Sequence, residues 1–265
     1  MKKLWKHLVI FRIFATNCII GYLEYPVNFF MEIISEIVYV LMKFIYVYSI
    51  YRVGFLVEGT YSANYLLLIC GNYMFLTGIF VGFFLMNFFD LSTQIRDGTL
   101  DLMIIKPVSL QFAVSFRMFQ FAAAIPNFVV GAILFILGLR GMDIIWYNVL
   151  LYFLMMLCAV LLTYSIFLIL QLSAFWVVKA SALSNIFETV WDYNNMPLQI
   201  FPKKVAAIFT YAIPLLIISN YPVMAIVGNL KTMDIVWTIL VTVILFALCR
   251  VLWNISVKKY SSASS

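Results

Sequence analysis

The sequence predicts an all-α, polytopic membrane protein of about six transmembrane helices, with an N-terminal interfacial helix and re-entrant helices before the last span. Three observations carry this reading. Hydrophobic residues make up 65% of the chain and charged residues 11%, with a mean hydropathy of +1.06, whereas a soluble domain is about 45–50% apolar and about 25% charged. The apolar residues fall in runs of roughly 20, the length of a helix that crosses a bilayer. The basic residues, which give a net charge of +6, stand one to three at a time between those runs. They read as topology signals, not as a nucleic-acid-binding patch.

Residues 1–25 carry Leu4, Leu8, Phe11 and Ala15 on one helical face and Lys2, Lys3 and Lys6 on another. That pattern predicts a helix on the membrane surface, with a floppy basic tail as the alternative. Arg12 interrupts the apolar stretch and no A-x-A site follows, so the N-terminus is expected to be retained. The first span is expected over about Pro26–Ile50, with Pro26 tolerated at a helix start. The second is expected over about Tyr61–Phe89. The longest polar interruption, residues 90–106, follows and Pro107 closes it. A third span then runs to about Leu139, and Arg140–Asp143 form a turn. The fourth span covers Trp146–Leu172 and a fifth starts near Ala180. Residues 197–230, broken by Pro197, Pro202, Pro214 and Pro222, suit short re-entrant or interfacial helices. The last span covers about Met233–Trp253, ahead of Lys258, Lys259 and a Ser-rich tail.

With the N-terminus in the cytoplasm, six spans place Lys2, Lys3, Lys6, Arg12, Arg96, Lys106, Arg117, Lys179, Arg250, Lys258 and Lys259 inside. Arg52, Arg140, Lys203, Lys204 and Lys231 fall outside. Both termini of a multi-pass cell-membrane protein are thus expected in the cytoplasm. Lys203 and Lys204 run against the bias and leave a cytoplasmic placement of the Pro-rich section open.

Four cysteines stand alone in apolar sequence and the single histidine, His7, sits in the basic N-terminal segment. No metal site, disulfide framework or histidine-based triad is therefore predicted. In the first span Asn28, Glu32, Glu36, Tyr39 and Lys43 fall within about 80° on one helical face. Charges near a bilayer centre cost roughly 2.5–3.5 kcal/mol each, so these residues are expected to face protein or water. They either pair helices or line a translocation pathway. Ser181, Ser184, Asn185, Glu188, Asp192 and Asn195 repeat the pattern in the fifth span. Glu188 and Asp192 repel each other when both are ionised, which predicts water or a cationic partner beside them. If both stripes face one cavity, cationic or amphipathic cargo follows. Gly71, Gly78 and Gly82 share a face of the second span and contain a GxxxG, a weak sign of a dimer seam. No GxxxxGK[ST] occurs, so ATP-driven work needs an engine on another chain.

The segment Gln94–Gln111, QIRDGTLDLMIIKPVSLQ, resembles the hallmark of the ABC-2 type membrane permeases, in particular the six-span transport-system permease group. Support comes in order from AFW at Ala174–Trp176, MPLQIFP, AIPLLIISNYPVMAIVG and the C-terminal KKYSSASS. The resemblance implies a single ABC-2 transmembrane domain over 1–265 that exports its substrate. Its partners would be a like or sister permease and two cytoplasmic ATPase subunits, which bind the ATP and Mg; the chain itself takes no cofactor and catalyses no reaction. It also implies a cytoplasmic coupling segment over residues 90–106, with a coupling helix at about Asp90–Leu100 seated in the ATPase and Asp90, Arg96, Asp97, Asp101 and Lys106 as the charges of the segment. Residues 197–230 would cap the exit side. Without the likeness, Gly98 as a helix stop and Pro107 as a restart predict a rigid knob between spans. The competing classes are a self-contained secondary transporter or channel using the intramembrane carboxylates, and a membrane-embedded enzyme or assembly factor.

Overall fold

Helices form wherever the apolar runs are long. The computed structural model describes residues 2–52, 63–175, 189 and 191–260, and among the described residues there is no strand. In chain order the helices are α1 (Lys2–Glu24), α2 (Pro26–Arg52), α3 (Ala63–Phe80), α4 (Met86–Asp97), α5 (Asp101–Ile104), α6 (Leu110–Phe116), α7 (Phe121–Leu139), α8 (Trp146–Leu172), α9 (Lys203–Ala207), α10 (Leu216–Ile226) and α11 (Thr232–Lys259). A wider π turn, Val81–Leu85, joins α3 to α4 without a break.

Among the described residues, five stretches are long and apolar enough to cross a membrane: Trp5–Glu24, Ala63–Asp97, Phe121–Leu139, Trp146–Phe175 and Thr232–Lys259. A bent pair, Lys203–Ala212 with Leu216–Ile226, makes up to six. The total suits the expected number of spans, although the membership differs. α1 qualifies, whereas α2, with Glu32, Glu36 and Lys43, is absent from the set. The expected fifth span lies mostly outside the described residues.

The bend of 95° between the two members of that pair has a local cause. Pro214 cannot donate to the helix and forces Ile213 out of helical geometry, to φ −122° and ψ 93°. Buried side chains then satisfy the irregular backbone. Asn220 accepts from the Leu198 N–H at 2.7 Å and donates to the carbonyls of Met196 and Leu216 at 3.2 and 3.0 Å. Asn72 of α3 donates to the Ser219 carbonyl at 2.9 Å. Non-helical backbone at membrane depth is tolerated only with such partners. Asn220→Leu is therefore expected to loosen this section, which limited proteolysis of the purified protein would register as faster cleavage between residues 196 and 216.

Burial is densest where α3, α4, α8 and α10 meet, around Tyr73, Phe88, Phe167, Leu162 and Ile218, each nearly or wholly buried. Phe80, Phe88 and Phe167 interlock there, with ring centroids 4.6 Å apart for Phe80–Phe167 and 5.9 Å for Phe88–Phe167. α3 packs most extensively against α7, through the glycine face. A Cβ on Gly71 would lie 2.7 Å from the Phe135 amide nitrogen. The small-residue face is thus used within the chain. The outward sides of α2, α8 and α11 present large apolar residues such as Phe30, Leu41, Phe153, Leu157 and Val243, each more than half exposed. A bilayer is the solvent for such a surface.

Candidate functional site

Asp192, from the stripe of the expected fifth span, meets the polar stripe of α2 at one cavity. It measures about 440 Å³, and Glu36, Tyr39, Thr77, Phe80, Trp191 and Asp192 are among the residues that line it. Asp192 is the hub. Its carboxylate forms an ion pair with Lys43 and accepts the hydroxyls of Tyr73 at 2.8 Å and Tyr39 at 3.3 Å. The Lys43 ammonium also lies 4.9 Å from the Tyr39 ring centre, close enough for a cation–π contact. One turn away on α2, Glu36 accepts a 2.6 Å hydrogen bond from the Asn127 amide of α7.

The rest of the stripe divides. Glu32 is half-buried and faces Tyr22 of α1, and Asn28 is exposed near the start of α2. Asn195 is buried, and neither polar atom of its side chain has a partner among the described residues. It is not among the residues that line the cavity. Ser184, Asn185 and Glu188 lie outside the described residues. Asn127 and Tyr73 belong to the site although sequence reasoning passed over them. A lone amide in the apolar run of α7 is the signal that could have found Asn127, since a polar side chain in lipid needs a partner.

The second candidate region is the polar interruption. Its first half is helical: the helix of the second span continues to Asp97 and stops at Gly98, whose φ of 72° suits glycine at a helix end. Leu100 and Met103 are buried and anchor the short α5. Between and beyond them Leu102, Ile104 and Ile105 are exposed, Ile105 at 78%. Arg96 and Asp97 are exposed and paired at 3.0 Å. Lys106 is exposed and Asp101 half-exposed. Burial, and then the nearby Asp101 carboxylate, push the Tyr260 phenol up at the end of α11, because both disfavour a phenolate.

Asp90 differs from the other four. It is only one-quarter exposed and pairs with Arg117, while Gln94 donates to the same carboxylate. It faces the protein, because Arg117 and Gln94 take up its carboxylate.

The profile of the ABC-2 family transporter proteins matches residues 37–264. The chain belongs to that family. No curated protein and no solved structure gives a significant match.

Proposed function

We propose that the chain is the permease subunit of an ATP-driven exporter, a multi-pass cell-membrane protein with both termini in the cytoplasm. It would form the translocation pathway with a second permease, like or sister, and take its power from separate cytoplasmic ATPase subunits that hold the ATP and Mg. The observation that carries this is the knob at residues 96–106. Apolar side chains exposed beside charged ones, on a short helix anchored by buried Leu100 and Met103, suit contact with a protein partner better than contact with water or lipid. Family membership supports the same assignment. α1 is read as a surface helix at the inner leaflet, which its lysines and the 2.6 Å hydrogen bond from Lys6 to the Pro107 carbonyl support. Residues 197–230 are read as the cap on the exit side.

The cavity supports a pathway role for Glu36 and Asp192 and for Lys43, which pairs with Asp192; Asn28, Glu32, Ser184, Asn185, Glu188 and Asn195 are assigned to the pathway on the stripe pattern of the sequence alone. Carboxylates beside the Tyr39, Phe80 and Trp191 rings suit a cationic or amphipathic cargo. The same carboxylates favour the second reading, a proton- or ion-driven transporter; proton-dependent flux by the isolated chain in liposomes would support it.

The test uses the complex captured from native membranes in mild detergent, with native cysteines replaced and Val81→Cys placed in the cavity wall. Reactivity of that thiol is expected to change at least threefold when ATP is added. Arg96→Glu or Asp97→Arg is expected to remove the change while the protein remains inserted. An undiminished ATP response in both variants, at matched expression, would remove the coupling assignment.

A further inference from the structure

The third span is interrupted at residues 117–120, between α6 and α7, and side chains from elsewhere satisfy its exposed backbone groups. The Met118 N–H donates to the Asn87 amide oxygen at 2.8 Å, and the Asn87 nitrogen donates back to the Met118 carbonyl at 2.6 Å. The Gln120 N–H donates to the Gly82 carbonyl at 3.0 Å, within the π turn, where the regular i to i−4 ladder is lost. From α1, Cys18 donates to the Arg117 carbonyl at 3.8 Å and accepts from the Phe119 N–H at 3.3 Å, and Tyr22 donates to the Phe119 carbonyl at 3.4 Å. Beside this lies the Arg117–Asp90 ion pair, with Gln94 on the same carboxylate.

Two irregularities, a π turn and a helix break, thus complete each other, and Asn87 is 4% exposed. A non-helical backbone segment in a membrane protein is costly unless every group is paired. Here the pairing is built from two helices, α1 and the continuous α3–α4, and the latter, which carries Asn87 and Asp90, is the one that ends in the exposed knob at Arg96 and Asp97.

We infer that residues 117–120 form a welded joint that makes the knob helix and the third span move as one body, with Asp90 and Asn87 as positioning residues. Asp90 acts through Arg117 and does not touch the ATPase. The inference rests on the proposed coupling role of the knob. A joint of this kind passes displacement of α4 to α7, and from α7 to the cavity wall through Asn127 and Glu36.

The experiment is a charge exchange in the captured complex carrying the Val81→Cys reporter and Cys18→Ser. Asp90→Arg is expected to reduce the ATP-dependent change in thiol reactivity at least threefold while ATP hydrolysis falls by less than twofold. Adding Arg117→Asp restores the pair with its charges reversed and is expected to restore the response. A docking charge would not be rescued by a residue in the break of the third span, so a complex of D90R/R117D that assembles without regaining the response overturns the inference. So does a wild-type response in D90R alone. Should D90R fail to assemble, Asn87→Ala decides: it is expected to lose the response, with hydrolysis retained, and a wild-type response overturns the inference. Arg96→Glu run in parallel separates the two levels. If it abolishes the response while D90R and N87A do not, only the joint fails; if it has no effect, the coupling role itself fails.

Discussion

Asp192→Ala is expected to lower the thermal midpoint of the purified permease by roughly 3–10 °C and to abolish the ATP response of the cavity thiol. The substitution leaves the Lys43 ammonium, 16% exposed, without its carboxylate and removes the acceptor of the Tyr73 and Tyr39 hydroxyls. Breaking a fully buried pair by removing one partner costs about 3–5 kcal/mol. Asp192 is 40% exposed, so solvent screening brings the expected cost to about 1–3 kcal/mol. Tyr73→Phe removes one hydrogen bond, keeps the ion pair and should cost only about 1 kcal/mol. A dye-based unfolding scan of the three proteins checks the order. An Asp192→Ala protein as stable as wild type would show that the pair does not hold α2 in place.

Gly71→Leu is expected to cut the yield of monodisperse protein severalfold in gel filtration, with Gly71→Ala intermediate. The atoms a new Cβ would meet are backbone: the Phe135 nitrogen at 2.7 Å and the Gly131 oxygen at 2.9 Å. No rotamer change relieves that, so α3 and α7 must separate, and overpacking of this kind costs about 1–3 kcal/mol or more. Gly21→Ala is the control, because nothing lies within 4 Å of its Cβ position, and its yield should match wild type.

Helices whose limits are set by local chemistry were legible in the sequence. Pro26 opens α2, Gly98 closes α4, and Trp146–Leu172 is a helix over its expected length. The features that escaped depend on distant partners. Asp90, Ser92 and Gln94 read as part of the polar interruption between two spans, yet they lie on the continuation of the second span's helix, where Arg117 pairs with Asp90 and Gln171 accepts from Ser92. Nothing local in FRMFQ marks a break; the joint exists because Asn87, Gly82, Cys18 and Tyr22 converge on it. The GxxxG face read as a weak sign of a dimer seam, and α7 takes it up within the chain. The polar face of α2 was legible in the sequence, but the meeting of Lys43 and Tyr39 with Asp192 required the fold to bring α2 beside Trp191.

In the proposed assembly an ATPase on the cytoplasmic side drives this permease through the knob that follows Gly98. Thr99 is exposed there. With the native cysteines replaced, Thr99→Cys should react with a membrane-impermeant maleimide only after cells are opened, and bound ATPase should protect it. Rapid labelling from outside intact cells would contradict the account.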